Sequence, residues 1–355
     1  MKIFYIAGRE GSYSRTRNVL NGLRENGVEV VPCFPPNKSF KNYPKLLLNY
    51  LLTAKNCDLI IVGFYGQLLL PFVRLFTRRN IIFDMYIATY DTMVHDRNVT
   101  KPGSLMAKIF YLSDRLSCLL ANKIILETHD HILDFSNKFK IAQNKFERIF
   151  LATDDSVVYP KQIKKQTEQF LVHFHGEYAP FHGVQYIIKA AHILQKENVY
   201  FQIIGKGITS ERDQQLARDL GLTNITFIEW LPFEELADYM SMADVCLGIF
   251  GDNDRTLRVT TNKVIEAIAV KKPLITGKNE PVQELLTHGE SVLLCERANP
   301  ESLAEAILSL RDNEALRNKI AEGGYSVFKK LCTNKKLGKE FKRIAEELLF
   351  NEKTD

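Results

Sequence analysis

The chain has 355 residues, 45% hydrophobic and 25% charged, with a formal net charge of +5. That length and balance describe an ordinary globular protein with room for two cores. No apolar run approaches the roughly 20 residues of a membrane span, since 68–73 is broken by Pro71 and followed by Arg74. The N-terminus enters a strand pattern at Lys2 without a basic-then-apolar leader, so neither secretion nor a bilayer-crossing segment is expected.

Strand-like runs at 3–7, 29–34, 59–63, 81–86, 123–127 and 149–152 alternate with helical runs at 15–26, 44–55 and 105–120. The beat restarts with strands at 170–175, 200–205, 225–230, 245–250, 274–276 and 292–295. Between them lie helices at 184–196, 210–220, 232–243, 262–271 and 300–310. Such an alternation predicts two parallel sheets, each covered by helices on both faces. The lysine-rich segment 160–168 reads as the linker, which sets domains at 1–159 and 160–334, a cleft between them, and a last helix within 335–355.

Six cysteines, at 33, 57, 118, 246, 295 and 332, stand singly and mostly in apolar stretches, which predicts buried thiols in a reducing cytoplasm. Residues 1–155 hold 21 Lys+Arg against 14 Asp+Glu, and the rest 26 against 28, so the first half is the basic one. Two readings of this are open: solvated surface charge, or a face for an anionic acceptor or the membrane carrying it. Segment 67–79, apolar with Arg74, Arg78 and Arg79 at one end, is the local candidate for a peripheral membrane contact. Its alternative is a core helix with a basic C-terminus.

The most informative stretch is VTTNKVIEAIAVKKPLITG at 259–277. It reads as a small polar turn, a helix opening at Asn262, and an apolar strand after Pro273. A helix start has unpaired N–H donors and a partial positive charge, so the amides from Thr261 to Val264, with Lys263, suit a diphosphate. Glu266, one turn on, can accept two hydrogen bonds from vicinal hydroxyls. The segment resembles the donor-binding signature of retaining glycosyltransferases of the GT-B fold, family 4, in the variant with Asn-Lys before the glutamate. Further motifs agree in order: FHG at 174–176 with FHGV at 181–184, IIGKG at 203–207, FIEW at 227–230 and ADV at 243–245. The likeness covers 165–330 well and the first half more loosely.

The resemblance implies two Rossmann-like domains facing each other across a cleft, with the C-terminal helix packing back on the N-terminal domain. It implies transfer of a hexose from a nucleotide diphosphate sugar to a saccharide or lipid-linked acceptor, with retention, in the cytoplasm, with neither metal nor other cofactor. Donor contacts would come from Gly176, His182, Gly205, Lys206, Glu229, Trp230, Thr261, Asn262 and Glu266. The chain departs from the family where a first glutamate would fall on Arg258, and where the diphosphate clamp reads Gly176-Glu177 and His182-Gly183. Arg258 and Lys263, with Arg255, are the candidates to supply the charge.

In the first half, the loop from Gly8 to Arg15 joins a strand to a helix, and the Gly11 and Ser12 amides would sit under the sugar or phosphate. It lacks the third glycine of a dinucleotide fingerprint, which argues against a nicotinamide cofactor. Asp84, at the end of a parallel strand, is the first candidate for the acceptor-side catalytic group, with Asp91 and Asp96 behind it. An ion pair of Asp96 with Arg97 is the bland alternative. Asp252-Asn253-Asp254 imitates the metal motif of another glycosyltransferase fold, and Thr128-His129-Asp130-His131 a zinc site, but neither has the context it needs. No nucleic-acid partner is expected. A nucleotide-sugar epimerase or hydrolase, and a non-catalytic partner subunit, remain as alternative readings.

Overall fold

The computed structural model describes residues 1–96, 99–165 and 167–351, without the side chains of Asp96 and Asn351. They form two compact units, one from 1–152 together with the segment from Thr333 onward, the other from 153–332.

The first unit runs β1 (Lys2–Ile6), α1 (Ser14–Glu25), β2 (Glu29–Cys33), α2 (Tyr43–Thr53), β3 (Leu59–Val62), α3 (Leu70–Leu75), β4 (Ile81–Asp84), α4 (Leu105–Leu120), β5 (Lys123–Leu126), α5 (His129–Phe139) and β6 (Phe146–Arg148). Its sheet has the order β2-β1-β3-β4-β5-β6 with every pair parallel. Side chains of a strand alternate in direction, so Phe4, Ile6, Ile60 and Val62 fill one core while Ile3, Tyr5 and Ile61 fill another. Helices α2, α3, α4 and α5 cover the first face. The expected strand at 149–152 lies three residues earlier, as β6. Its polar Glu147 bonds Lys123 at 2.8 Å and Arg343 at 3.4 Å, which an edge strand allows and an apolar-run criterion misses.

The second unit runs β7 (Phe170–His175), α6 (Val184–Ile193), β8 (Val199–Ile204), α7 (Ser210–Asp219), β9 (Ile225–Ile228), α8 (Phe233–Met242), β10 (Val245–Leu247), α9 (Asn262–Ala269), β11 (Leu274–Gly277), α10 (Glu280–Gln283), β12 (Leu293–Cys295), α11 (Pro300–Asp312) and α12 (Glu314–Leu331). The sheet order is β12-β11-β10-β7-β8-β9, again parallel. From β7 the chain winds outward through β8 and β9, then returns to β10 on the other side of β7. That reversal opens a crevice beyond the carboxyl ends of β7 and β10.

The lysine-rich segment expected to be a linker is instead fastened to the second unit. Lys161 pairs with Asp238, and Lys165 bonds Asp244 at 2.7 Å and the Gln169 carbonyl at 3.1 Å. The chain passes between units at 152/153 and 332/333.

The last helix, α13 (Asn334–Asn351), belongs to the first unit. Its Leu337, Phe341, Ile344 and Ala345 bury against Val19 and Leu23 of α1 on the second face of that sheet. The two helices touch backbone to backbone, since a β-carbon on Gly338 would lie 1.9 Å from the Gly22 carbonyl oxygen.

Candidate functional site

Helix α9 starts where the sequence places it. Thr261 is its N-cap in an extended conformation, no side chain caps it, and Val264 N–H returns to the Thr261 carbonyl at 3.0 Å. Thr261 and Asn262 are half-buried, while every residue from Lys263 to Ala269 is buried. Lys271 in the left-handed region (φ 58°) and Pro273 stop the helix after two turns. The Thr260 and Thr261 hydroxyls are buried with no hydrogen-bond partner. Two buried hydroxyls without partners beside a helix N-terminus are donors that phosphate oxygens would satisfy.

Glu266 is not a loose hook. Its Oε2 lies 2.8 Å from His175 Nε2, His175 Nδ1 lies 2.9 Å from His173 Nε2, and His173 Nδ1 lies 2.9 Å from Gln202 Nε2. Gln202 Nε2 also donates to the Tyr239 carbonyl at 3.0 Å, which fixes which end of the amide is nitrogen. Every proton then follows. Gln202 donates to His173 Nδ1, so His173 carries its proton on Nε2 and donates to His175 Nδ1, and His175 in turn donates from Nε2 to the Glu266 carboxylate. Strand period places His173 and His175 on one face of β7, and the β7–β8 register sets His173 opposite Gln202. Burial, with the neighbouring ring second, holds the His173 pKa well below its usual value, which keeps the ring neutral as this relay requires.

Lys263 is held by His182. Its Nζ donates to His182 Nε2 at 3.0 Å, and His182 Nδ1 donates to the Glu177 carbonyl. Burial is the main cause that lowers the Lys263 pKa to about 7, against the pull of Glu266 and Glu177. Gly176 makes room for this arm: its φ is 141°, and a β-carbon there would lie 2.9 Å from both Cε and Nζ of Lys263. His182, expected among the donor contacts at a position of the diphosphate clamp, has both ring nitrogens engaged. Burial and then the adjacent Lys263 push its pKa well below the ordinary value, so it positions the lysine instead.

The other donor-side candidates lie on the carboxyl ends of β8 and β9. Gly205 adopts φ 126° and approaches Gly176 so closely that a β-carbon would sit 2.0 Å from its carbonyl oxygen. Lys206 and Glu229 face each other across 3.9 Å, both exposed, and Trp230 is 70% exposed beside them. Arg258 is half-buried with Nε on the Asp254 carbonyl at 3.2 Å, while Arg255 stacks 4.4 Å over the Phe181 ring. Asn253, inside the imitated metal motif, caps a 3-10 turn at Asp254–Leu257, and Asp252 accepts from the Tyr186 hydroxyl. Among the described residues no group of three or more His, Cys, Asp or Glu could hold a metal ion.

In the first unit the structure corrects the leading candidate. Asp84 is fully buried, and Arg15 grips it at 2.7 and 3.0 Å. So placed, the carboxylate is held in a buried ion pair rather than presented at the surface of the unit. Asp91 pairs with Lys138 at 2.8 Å. The Asp96 side chain lies outside the described residues. Gly11 and Ser12 stand in the turn before α1, Ser12 exposed.

Sequence reasoning overlooked an aromatic group on this same edge of the sheet. Phe64 stacks on Tyr13 at 4.9 Å and meets Tyr86 edge-on at 5.1 Å, and Arg9 lies 4.2 Å over the Tyr13 ring. Tyr65 and Tyr86, just past the ends of β3 and β4, hold φ of 59° and 60°. Non-glycine residues in that region cost roughly 1 kcal/mol or more each and collect at binding sites. No sequence signal marks such strain. Four aromatic residues beyond strand ends were its visible trace.

Residues 157–327 match the family described as Glycosyl transferases group 1. An uncharacterized glycosyltransferase of Methanocaldococcus jannaschii is 25% identical over 351 residues, which is 94% of this chain and 86% of that protein. The lipopolysaccharide core biosynthesis glycosyltransferase LpsD of Rhizobium meliloti is 26% identical over 46% of this chain, a match spanning 45% of LpsD. A second M. jannaschii glycosyltransferase is likewise matched over only 44% of its length. By structure, the chain is similar to sucrose-phosphate synthase from Thermosynechococcus elongatus, with a TM-score of 0.81, 15% identity, and 99% and 100% of the two chains covered. It is also similar to Anabaena HepE in complex with UDP-glucose, with a TM-score of 0.74, 15% identity, and 98% and 100% covered. The two-domain GT-B fold is therefore that of this chain.

Proposed function

We propose that this chain, whose residues 157–327 match the Glycosyl transferases group 1 family, transfers a hexose from a nucleoside diphosphate sugar to a saccharide or lipid-linked acceptor. The carrying observation is the α9 start, where a buried lysine and a carboxylate with a fixed orientation stand three residues apart beside two orphaned hydroxyls. The Thr261 to Val264 turn and Lys263 hold the pyrophosphate, and Glu266 grips the hydroxyls of the ribose or hexose. Arg258 and Arg255 add charge from the neighbouring loop. Trp230, Glu229, Lys206 and Gly205 take the base. HepE, which binds UDP-glucose in its complex, supports uridine as the first base to try.

In the reaction the acceptor oxygen bonds to the anomeric carbon as the bond from that carbon to the phosphate oxygen breaks. Lys263, protonated once a dianionic pyrophosphate sits beside it, neutralises the departing charge. With Asp84 sealed, the acceptor proton passes to the leaving phosphate oxygen on the same face, an outcome compatible with retention and needing no metal. The LpsD likeness supports a saccharide acceptor, and the aromatic group around Phe64 suits the apolar faces of sugar rings. Six free, buried cysteines fit work in a reducing cytoplasm.

The test is incubation with UDP-, GDP-, ADP- and dTDP-sugars, with and without a panel of saccharide acceptors. Release of nucleoside diphosphate that depends on an acceptor supports the assignment. Fast donor turnover with water alone would make the protein a hydrolase or epimerase, and absence of any nucleotide binding would make it a non-catalytic partner.

A further inference from the structure

Helices α2, α3 and α4 form one layer over the same face of the first sheet, with α2 packed on α3 and α3 on α4, so their outer sides share a direction. In α4 the usual arrangement is inverted. Its buried residues are Ala107, Asp114, Ser117 and Cys118, small or polar, with Asp114 accepting from the Thr89 and Tyr90 amides and Ser117 donating to the Gln67 carbonyl. Its large apolar residues point outward at 105, 109, 112, 116 and 119, alternate steps of four and three that make a continuous stripe, with Leu105 77% exposed. Beside it α3 and its end expose Phe72, Leu75 and Phe76, and α2 exposes Leu48, Leu51 and Leu52. Exposed apolar side chains grouped on three neighbouring helices, rather than scattered singly, mark an interaction surface.

The charges of this layer have one sign. No Asp or Glu occurs in 30–57, 59–83 or 99–113. The same stretches present exposed Lys45 on α2, Arg78 after α3 and Lys108 within the α4 stripe. A depression of about 750 Å³ lined by Arg74, Leu75, Phe76, Thr77 and Arg78 joins guanidinium groups to the apolar surface. No described helix is long and apolar enough to cross a membrane.

We infer that this three-helix face rests on an anionic lipid surface, its leucines and phenylalanines in the acyl boundary and Lys45, Arg78 and Lys108 among the headgroups. Charge decides the occupant. A second copy docked on this face would set cation against cation with no carboxylate in these stretches to answer them, whereas an anionic leaflet answers all of them. The inference extends the acceptor assignment toward lipid-linked saccharides but stands on the surface alone, and vesicle binding is read without donor or turnover.

The experiment is co-sedimentation of the whole chain with vesicles of phosphatidylcholine, alone or with about one-third phosphatidylglycerol, at low and high salt. Binding to the anionic vesicles that weakens in high salt is expected. Lys45→Gln with Arg78→Gln should lower partitioning about 30-fold, each surface cation being worth about fivefold. Phe72→Ser with Leu75→Ser and Leu112→Ser should abolish it while leaving the unfolding temperature unchanged, because all three side chains are exposed. Equal binding to both lipid mixtures, or retention by the serine variant, would overturn the inference. So would a wild-type dimer in sedimentation velocity that the serine variant dissociates.

Discussion

Replacing His175 with Phe removes the donor that orients Glu266 while keeping a ring of similar volume in β7. The lost contact is a 2.8 Å hydrogen bond to a carboxylate that is only 6% exposed. Hydrogen bonds to charged groups contribute roughly 1.5–3 kcal/mol, and without this one Glu266 must turn or draw in water before meeting a hydroxyl pair. Nucleoside diphosphate sugar affinity should fall roughly 10- to 150-fold. Because Glu266 grips hydroxyls that do not react, the loss should sit in KM and in the calorimetric Kd with kcat little changed. His175→Gln is the rescue, since a glutamine amide can offer Nε2 near the position of the imidazole Nε2 and should recover most of the affinity. A merely structural His175 would lower the unfolding temperature and the active fraction without moving Kd. Unchanged Kd in His175→Phe, or a glutamine variant as weak as the phenylalanine one, would refute the relay.

Lys263 charges in the unfolded chain up to the ordinary lysine value of 10.5 but in the folded one only below about 7. Between those values the unfolded state binds the extra proton, so this residue makes stability rise with pH from about 7 toward 10.5, by a few kcal/mol. Chemical denaturation across that window should show the rise in the wild type and not in Lys263→Met. Trp230, the one tryptophan of the chain and largely exposed at the proposed base site, should have its fluorescence quenched by the matching nucleoside diphosphate, and a flat titration would remove it from the site. Arg15→Met leaves Asp84 buried and uncompensated, so unfolding should be easier by about 3–5 kcal/mol with kcat per folded molecule retained. A large drop in kcat at constant fold would restore Asp84 to catalysis.

The second unit was the more legible half because its loops carry motif residues. The run 170–175 and the start of α9 were read to the residue. The relay behind Glu266 was not legible, although His175 stood in the FHG motif, because it depends on His173 just outside that motif, on the β7–β8 register and on an amide reached through Tyr239 of α8. Asp84 misled for the opposite reason. Its strand-end position was right, but its partner Arg15 is 69 residues away, and only the folded sheet brings them together. The 160–168 segment looked like a linker because its lysines are numerous, and their partners Asp238 and Asp244 are as distant in sequence.

The central claim, that a pyrophosphate settles against the α9 start beside Lys263, is tested most directly by titrating the matching nucleoside diphosphate at pH 8 in buffers of different ionisation enthalpy. A lysine with a pKa of about 7 is mostly neutral there and must take up a proton to meet the anion. Uptake of about 0.9 proton per molecule bound is predicted in the wild type and none in Lys263→Met. Binding without proton uptake, or with the same uptake in the methionine variant, would contradict it.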